Sequence, residues 1–192
     1  MITAPTQTLL WAINVLLVSL LVGTLTRWIS LRHASPGLRQ QRFASLRTWW
    51  ILALLVGTAV LAGRLGVCLL FLTASIIALR EYATLLGVAQ TERPCLIAGY
   101  GLSVVNYLLI LFNQGAAFMV FMPLAAVTLL ALVQILQGKA QGYIRTTGAM
   151  FWGIMVINYG MAHACYLFIH PAFAAGPAGP AGWFLYLLIL TE

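Results

Sequence analysis

The chain has 192 residues, of which 62% are hydrophobic and only 7% are charged, and its mean hydropathy is +1.00. A water-soluble domain of this size cannot bury so much apolar surface while exposing so few charges, so the composition excludes a soluble globular protein. The formal net charge of +7 does not indicate nucleic-acid binding, because the basic residues lie in short connections between apolar runs and not in one patch.

Six apolar runs are predicted as membrane helices, and a seventh begins near residue 183. The sequence thus predicts an all-α polytopic membrane protein with a single transmembrane domain over residues 1–192. Residues 1–94 would hold three spans and a basic cytoplasmic loop, and residues 95–192 would hold spans four to six and the start of the seventh. The second and third runs are short and close together, which predicts a tight hairpin or a tilted pair. In chain order the six complete runs cover residues 8–31, 48–63, 65–79, 95–112, 117–136 and 148–169.

Basic residues alternate between the two ends of these runs and predict the orientation. Of the 10 Lys and Arg residues, Arg64 alone falls on one side. The positive-inside rule therefore places the N-terminus outside and Glu192 in the cytoplasm, in what we expect to be a bacterial inner membrane. The cytoplasmic set comprises Arg27, Arg32, Arg39, Arg42, Arg47, Arg80, Arg93, Lys139 and Arg145.

Residues 35–50, "SPGLRQQRFASLRTWW", have the pattern of a basic interfacial helix. Ser35 is a suitable N-cap and Pro36 a suitable first helical residue. One interpretation is that the arginines gather anionic phospholipid, including the phosphate of a lipid substrate; the other is that they only set topology. Candidate phosphate-binding or lipid-binding residues are Arg39, Arg42, Arg47, Arg80, Lys139 and Arg145.

The sixth run carries polar aromatic residues on one predicted helical face. Tyr159, His163, Tyr166 and His170 follow the spacing i, i+4, i+7 and i+11. From the cytoplasmic end, His163 lies about 22 Å into the helix. We therefore expect a neutral histidine that is hydrogen-bonded to a neighbouring helix, and not a catalytic group.

Other polar and small residues in the runs indicate helix packing. Asn14, Asn106 and Asn158 are predicted to form hydrogen bonds between helices. The pairs Ala59/Gly63 and Ala149/Gly153 have the spacing of small residues that permits close helix contact.

The sequence offers few groups for catalysis or metal binding. It contains no aspartate, and its only acidic side chains are Glu81, Glu92 and Glu192. We therefore assign no catalytic residue and no metal ligand, and do not expect the chain alone to hold a magnesium–nucleotide complex. The three cysteines, Cys68, Cys95 and Cys165, form no CxxC pair and are expected to pack as small apolar side chains.

Several segments in order resemble the front part of the phosphatidate cytidylyltransferase (CDP-diacylglycerol synthase) family. They are "LRTWW" at 46–50, "FLTASIIALREYATLL" at 71–86, "FMPLAAVTLLAL" at 121–132, "GAMFWGIMVINYGMAHACYLF" at 148–168 and "WFLYLLILTE" at 183–192. In the family, the last segment continues into an Asn-Asp motif and a Trp-Gly-Lys turn. The family signature, rich in Lys, Arg, Asp, Gly and His, lies near the C-terminus of full-length members.

The resemblance implies condensation of CTP with phosphatidic acid, assisted by Mg²⁺, to give CDP-diacylglycerol and pyrophosphate in phospholipid biosynthesis. It also implies that the chain is inactive alone and meets CTP only with the C-terminal half, supplied by further sequence or by a partner chain. A truncated product, one part of a split enzyme and a relative that has lost the chemistry all stay open. The alternative class is a non-catalytic membrane scaffold or lipid-binding subunit, and either class could form a homodimer.

Overall fold

The computed structural model describes residues 7–30, 36–88, 93–138, 142–170, 179 and 182–183. Over these residues it is helical and has no strand, and six helices are long and apolar enough to cross a membrane. The predicted all-α polytopic fold is therefore confirmed. At the beginning of the seventh run, Gly182 and Trp183 are helical, and residues 184–192 lie outside the described residues.

The first five spans are single α-helices, and the sixth has three parts. In chain order the helices are α1 Gln7–Ser30, α2 Pro36–Leu61, α3 Gly63–Leu85, α4 Arg93–Leu111 and α5 Gly115–Leu136. The sixth span consists of α6 Tyr143–Gly153, a π-helix Ile154–Tyr159 and α7 Gly160–Ile169.

The predicted basic interfacial helix and the predicted second span form one helix in the structure. A single helix, α2, begins at Pro36 and runs without a break to Leu61, so the arginines lie on its first turns. Lys and Arg are good helix formers, so the charged stretch extends the helix beyond the apolar run and does not end it. The predicted cap, Ser35, lies outside the described residues.

The chain turns sharply between α2 and α3. Only Ala62 separates these helices, and Gly63 has a φ of +71°, a left-handed conformation that glycine adopts without steric cost. The predicted packing pair Ala59/Gly63 is therefore not on one helix face. The close approach is made by Gly66, where an added Cβ would overlap the Ala59 carbonyl oxygen.

The described residues fall into two compact units, one within 1–67 and 176–192 and the other within 68–175. In the first unit, α1 packs on α2, and the Trp50 indole Nε1–H donates to the Thr24 hydroxyl at 3.1 Å. Asn14, which was predicted to bond between helices, donates to the Leu10 carbonyl of its own helix at 2.9 Å.

The second unit has an apolar core shared by α3, α4, α5 and the sixth span. Large apolar side chains also cover its outside, for example Leu124 at 68% exposure and Val156 at 65%. This pattern fits a bundle surrounded by lipid, because lipid tails are as apolar as the core. The core consists of Leu79, Ala83, Cys95, Leu96, Leu102, Met122, Ala126, Leu130, Met150 and Ile154.

Three contacts fix the antiparallel register of α3 against the sixth span. The Tyr82 hydroxyl donates to the Ala149 carbonyl at 3.0 Å. Ser75 Oγ lies 3.7 Å from Met161 Sδ, and Cys68 Sγ lies 3.5 Å from Cys165 Sγ. Between the first and second contacts lies the π-helix, where the Gly160 N–H bonds to the Met155 carbonyl five residues back.

Candidate functional site

The α1–α2 basic surface consists of Arg27, Arg42 and Arg47. Arg27 Nη1 donates to the Arg42 carbonyl at 3.3 Å, which ties the last turn of α1 to the beginning of α2. Arg42 and Arg47 are exposed, while Arg27 is half-buried. Arg39 lies in the same helix one turn before Arg42, but its side chain is outside the described part. The structure thus adds Arg27 to the candidate residues.

A partial signal for Arg27 was present in the sequence. The charge pattern placed this arginine among the cytoplasmic basic residues at the end of the first span, but only as a topology marker. Its position beside Arg42 depends on the angle at which α1 and α2 pack, and residue spacing does not reveal that angle.

Two further candidates, Arg80 and Arg145, lie in the second unit. Both side chains are exposed, Arg80 near the end of α3 and Arg145 near the beginning of α6. The Tyr82–Ala149 hydrogen bond joins these same helix ends. Arg80 and Arg145 therefore belong to one end of this unit. Lys139 lies outside the described residues.

A buried polar group links α4 to the π-helix. The Asn158 amide Nδ2–H donates to Ser103 Oγ, and the Ser103 hydroxyl donates to the Gly99 carbonyl at 2.7 Å. Asn106, one turn along α4, is fully buried, and its amide has no hydrogen-bond partner among the described residues. Asn158 thus bonds between helices, whereas Asn106 has no such bond here.

Phe118 of α5 is the centre of an aromatic cluster. Its ring centroid lies 5.6 Å from that of Tyr159, 4.9 Å from His163 and 5.1 Å from Tyr166. His170 packs edge-on against Tyr166 at 5.1 Å. The four residues that were predicted to share a face do lie together along one side of the sixth span, from the end of the π-helix to the end of α7.

His163 differs from its prediction in the partner that Nδ1 takes. The Nδ1–H donates to the Tyr159 carbonyl of the same helix at 2.8 Å, and the contact with the neighbouring helix is the ring of Phe118. The hydrogen bond and the ring contact together hold the imidazole in place, and neither requires a charged histidine. Phe118 carries no distinguishing signal in the sequence, because it lies in another helix and is one of nine phenylalanines.

Ser75 and Tyr107 form a second buried contact that the sequence did not indicate. Their hydroxyl oxygens are 2.8 Å apart, and both side chains are buried. Each is a single polar residue within an apolar run, and such a residue gives no sign of its partner.

The described residues contain no group of three His, Cys, Asp or Glu side chains that could hold a metal ion. Glu81 is exposed, and Glu92 and Glu192 lie outside the described part. The Mg²⁺ of the family chemistry requires several oxygen ligands, and the donors described here do not fit that requirement.

Comparisons with known proteins agree with the resemblance seen in the sequence. The profile of the Cytidylyltransferase family matches residues 43–192. The chain is 35% identical over 147 residues to "Uncharacterized protein YnbB" of Escherichia coli (strain K12), an alignment that covers 77% of this chain and 47% of that protein. This chain thus spans about half the length of the curated relative that it matches, and no solved structure matches it. The chain belongs to the cytidylyltransferase family.

Proposed function

We propose that this protein is a membrane component of a phosphatidate cytidylyltransferase and that it holds the lipid substrate. In the proposed reaction, a phosphate oxygen of phosphatidic acid attacks the α-phosphorus of CTP. CDP-diacylglycerol forms, pyrophosphate leaves, and the product enters phospholipid biosynthesis. The observations that carry the proposal are the family match over residues 43–192 and the exposed arginines near its beginning, Arg42 and Arg47.

The α1–α2 basic surface is the proposed lipid-phosphate contact. Its guanidinium groups can each offer two parallel N–H donors to a phosphate, a geometry that the ammonium of lysine does not reproduce. The Arg27–Arg42 contact supports this role, because it holds the Arg27 guanidinium against the backbone of α2 at Arg42. Arg39 in the same helix, and Arg80, Lys139 and Arg145 in the second unit, are the other proposed contacts for anionic phospholipid.

The proposed orientation places these arginines in the cytoplasm, where CTP is present. Arg64, at the start of α3, lies at the opposite end of that helix from Arg80, and this agrees with the charge alternation of the sequence. The N-terminus would then be outside, Glu192 inside, and the membrane the bacterial inner membrane.

We further propose that this chain does not complete the reaction alone. Cytidylyl transfer needs neutralisation of the triphosphate charge, which enzymes commonly achieve with metal ions held by carboxylates. The three glutamates and the absence of aspartate in the sequence support this proposal. The remaining groups would come from further sequence or a second chain.

Lipid binding tests the substrate-holding role. Purified protein in detergent would be titrated with short-chain phosphatidic acid, and with phosphatidylcholine of the same chain length for comparison. We expect Arg42→Lys or Arg47→Lys to weaken phosphatidic acid binding at least threefold, whereas Arg64→Lys, an exposed arginine at the other end of α3, leaves it unchanged. Equal affinity for the two lipids, or equal effects of all three variants, would contradict the proposal.

An activity assay tests the proposal that this chain does not complete the reaction alone. Purified protein, free of other chains, would be supplied with radiolabelled CTP, phosphatidic acid and Mg²⁺, and we expect no CDP-diacylglycerol. Turnover by the isolated protein would overturn this part of the proposal and leave the lipid-binding part intact.

A non-catalytic lipid-binding subunit is the second candidate. The shortage of carboxylates favours it, because binding of an anionic lipid needs only the basic residues. This second candidate predicts the same affinity for phosphatidic acid as the substrate-holding role does. It predicts no gain of cytidylyl transfer when the protein is combined with the remaining part of a family member.

A further inference from the structure

Two of the three cysteines meet inside the second unit, although they are 97 residues apart in the sequence. Cys68 Sγ of α3 and Cys165 Sγ of α7 are 3.5 Å apart, within hydrogen-bond range for thiols. Both side chains are buried, with exposures of 4% and 0%. A disulfide bond is about 2.05 Å long, so the two sulfur atoms would have to approach each other by about 1.5 Å to form one.

The position of the pair distinguishes it from ordinary packing of small apolar side chains. Cys68 follows the start of α3 at Gly63 by five residues, and Cys165 precedes the end of α7 at Ile169 by four. Both sulfur atoms are therefore within about 8 Å of a helix end. In the proposed orientation these ends face away from the cytoplasm, toward the compartment in which bacteria form disulfides.

We propose that Cys68 and Cys165 form a redox-convertible pair whose disulfide ties α3 to α7. On oxidation, both S–H bonds break, one S–S bond forms, and two protons and two electrons pass to an oxidant. In the cell that oxidant would be a protein or small-molecule disulfide acting by thiol–disulfide exchange: one thiolate attacks it to form a mixed disulfide, and the other then displaces the carrier as a thiol.

The disulfide would join α3 to the sixth span at the end that faces away from the cytoplasm in the proposed orientation. The Ser75–Met161 and Tyr82–Ala149 contacts lie progressively further along α3 from the pair. Oxidation would therefore crosslink α3 and the sixth span at one end. The basic end, with Arg80 and Arg145, would have no covalent link.

Cys95 provides the internal control. It is fully buried like the pair, but it lies near the start of α4, where Gln134 Nε2 donates to its sulfur at 3.3 Å. It shares burial and residue type with Cys68 and Cys165, so a difference in oxidation between them would come from the paired geometry.

The test is thiol counting on folded protein in detergent, using diamide as the oxidant, which accepts both protons and both electrons. After quenching and denaturation, N-ethylmaleimide adducts are counted by intact mass. We expect three adducts before oxidation and one afterwards, on Cys95, with no covalent dimer on a non-reducing gel. Cys68→Ser and Cys165→Ser should each keep two adducts under oxidation, whereas Cys95→Ser should fall from two to none.

Peptide mapping of the oxidised wild-type protein identifies the linked residues directly, so the answer does not depend on the folding of the variants. A Cys68–Cys165 linked peptide supports the proposal. Retention of three adducts, a link that involves Cys95, or a link that forms only after denaturation would overturn it.

Discussion

The Tyr82 side chain occupies the groove formed by two small residues of α6, and its hydroxyl donates to the Ala149 carbonyl at 3.0 Å. The other small residue, Gly153, lies under the ring, such that an added Cβ would be 2.6 Å from Tyr82 Cδ1. The predicted Ala149/Gly153 spacing therefore marks a site where an aromatic side chain, and not a second backbone, approaches the helix.

Gly153→Ala should destabilise the protein by about 1–3 kcal/mol, because the added methyl group forces the Tyr82 ring away from its hydrogen bond. Unfolding in a denaturing detergent, followed by far-ultraviolet circular dichroism, measures the change. Gly148→Ala in the same helix is the control: a Cβ there meets nothing within 4 Å, and alanine favours the helix. Equal destabilisation by the two variants would rule out this packing of Tyr82.

Phe118→Ala should lower stability by about 3–5 kcal/mol, because it leaves a cavity among Tyr159, His163 and Tyr166. The thermal midpoint of the purified protein is the measurement. Phe112→Ala removes the same side chain from a site that is 69% exposed, and it should have little effect. A similar loss in both variants would show that Phe118 is not the centre of the cluster.

Asn106→Leu should leave stability unchanged or raise it. The buried Asn106 amide has no partner among the described residues, so an apolar side chain of similar shape removes a desolvation cost and loses no hydrogen bond. Ser103→Ala, one turn away, should instead cost about 1–3 kcal/mol, because it leaves the Asn158 amide without its acceptor. The same unfolding assay compares them, and a large loss from Asn106→Leu would indicate a polar ligand or water at that amide.

The orientation predicts opposite labelling of two exposed turn residues. In intact cells, a membrane-impermeant maleimide should react with Gln114→Cys, between α4 and α5, and should not react with Leu86→Cys, after α3. The three native cysteines are buried, so the unmutated protein provides the background. Labelling of Leu86→Cys alone would reverse the proposed topology.

The sequence was sufficient for the number of spans, because the apolar runs are separated by charged or Pro/Gly-containing connections. It was less reliable for α2, since Arg39, Arg42 and Arg47 lower the local hydropathy although arginine supports a helix well. It predicted the tight connection between the second and third spans, but it misplaced Gly63 on one helix face with Ala59, because an Ala-xxx-Gly spacing is the same on a helix and across a helix break.

Contacts between helices were the least predictable part of the candidate sites. The partners Phe118 and His163, Ser75 and Tyr107, and Cys68 and Cys165 lie on different helices, and their meeting depends on helix rotation. A single apolar sequence constrains that rotation weakly, because its lipid-facing and core-facing residues have similar hydrophobicity.

The π-helix Ile154–Tyr159 sets the angular phase of everything that follows it in the span. A π-bulge accommodates about one residue more than an α-helix over the same path, and each residue of an α-helix corresponds to a rotation of about 100°. A regular α-helix through the same residues would rotate α7 relative to α6 by about 100°. His163 would then turn away from Phe118, and Cys165 from Cys68, although the sequence stayed the same. The wider turns of this short segment thus determine which side of the last helix meets its neighbours.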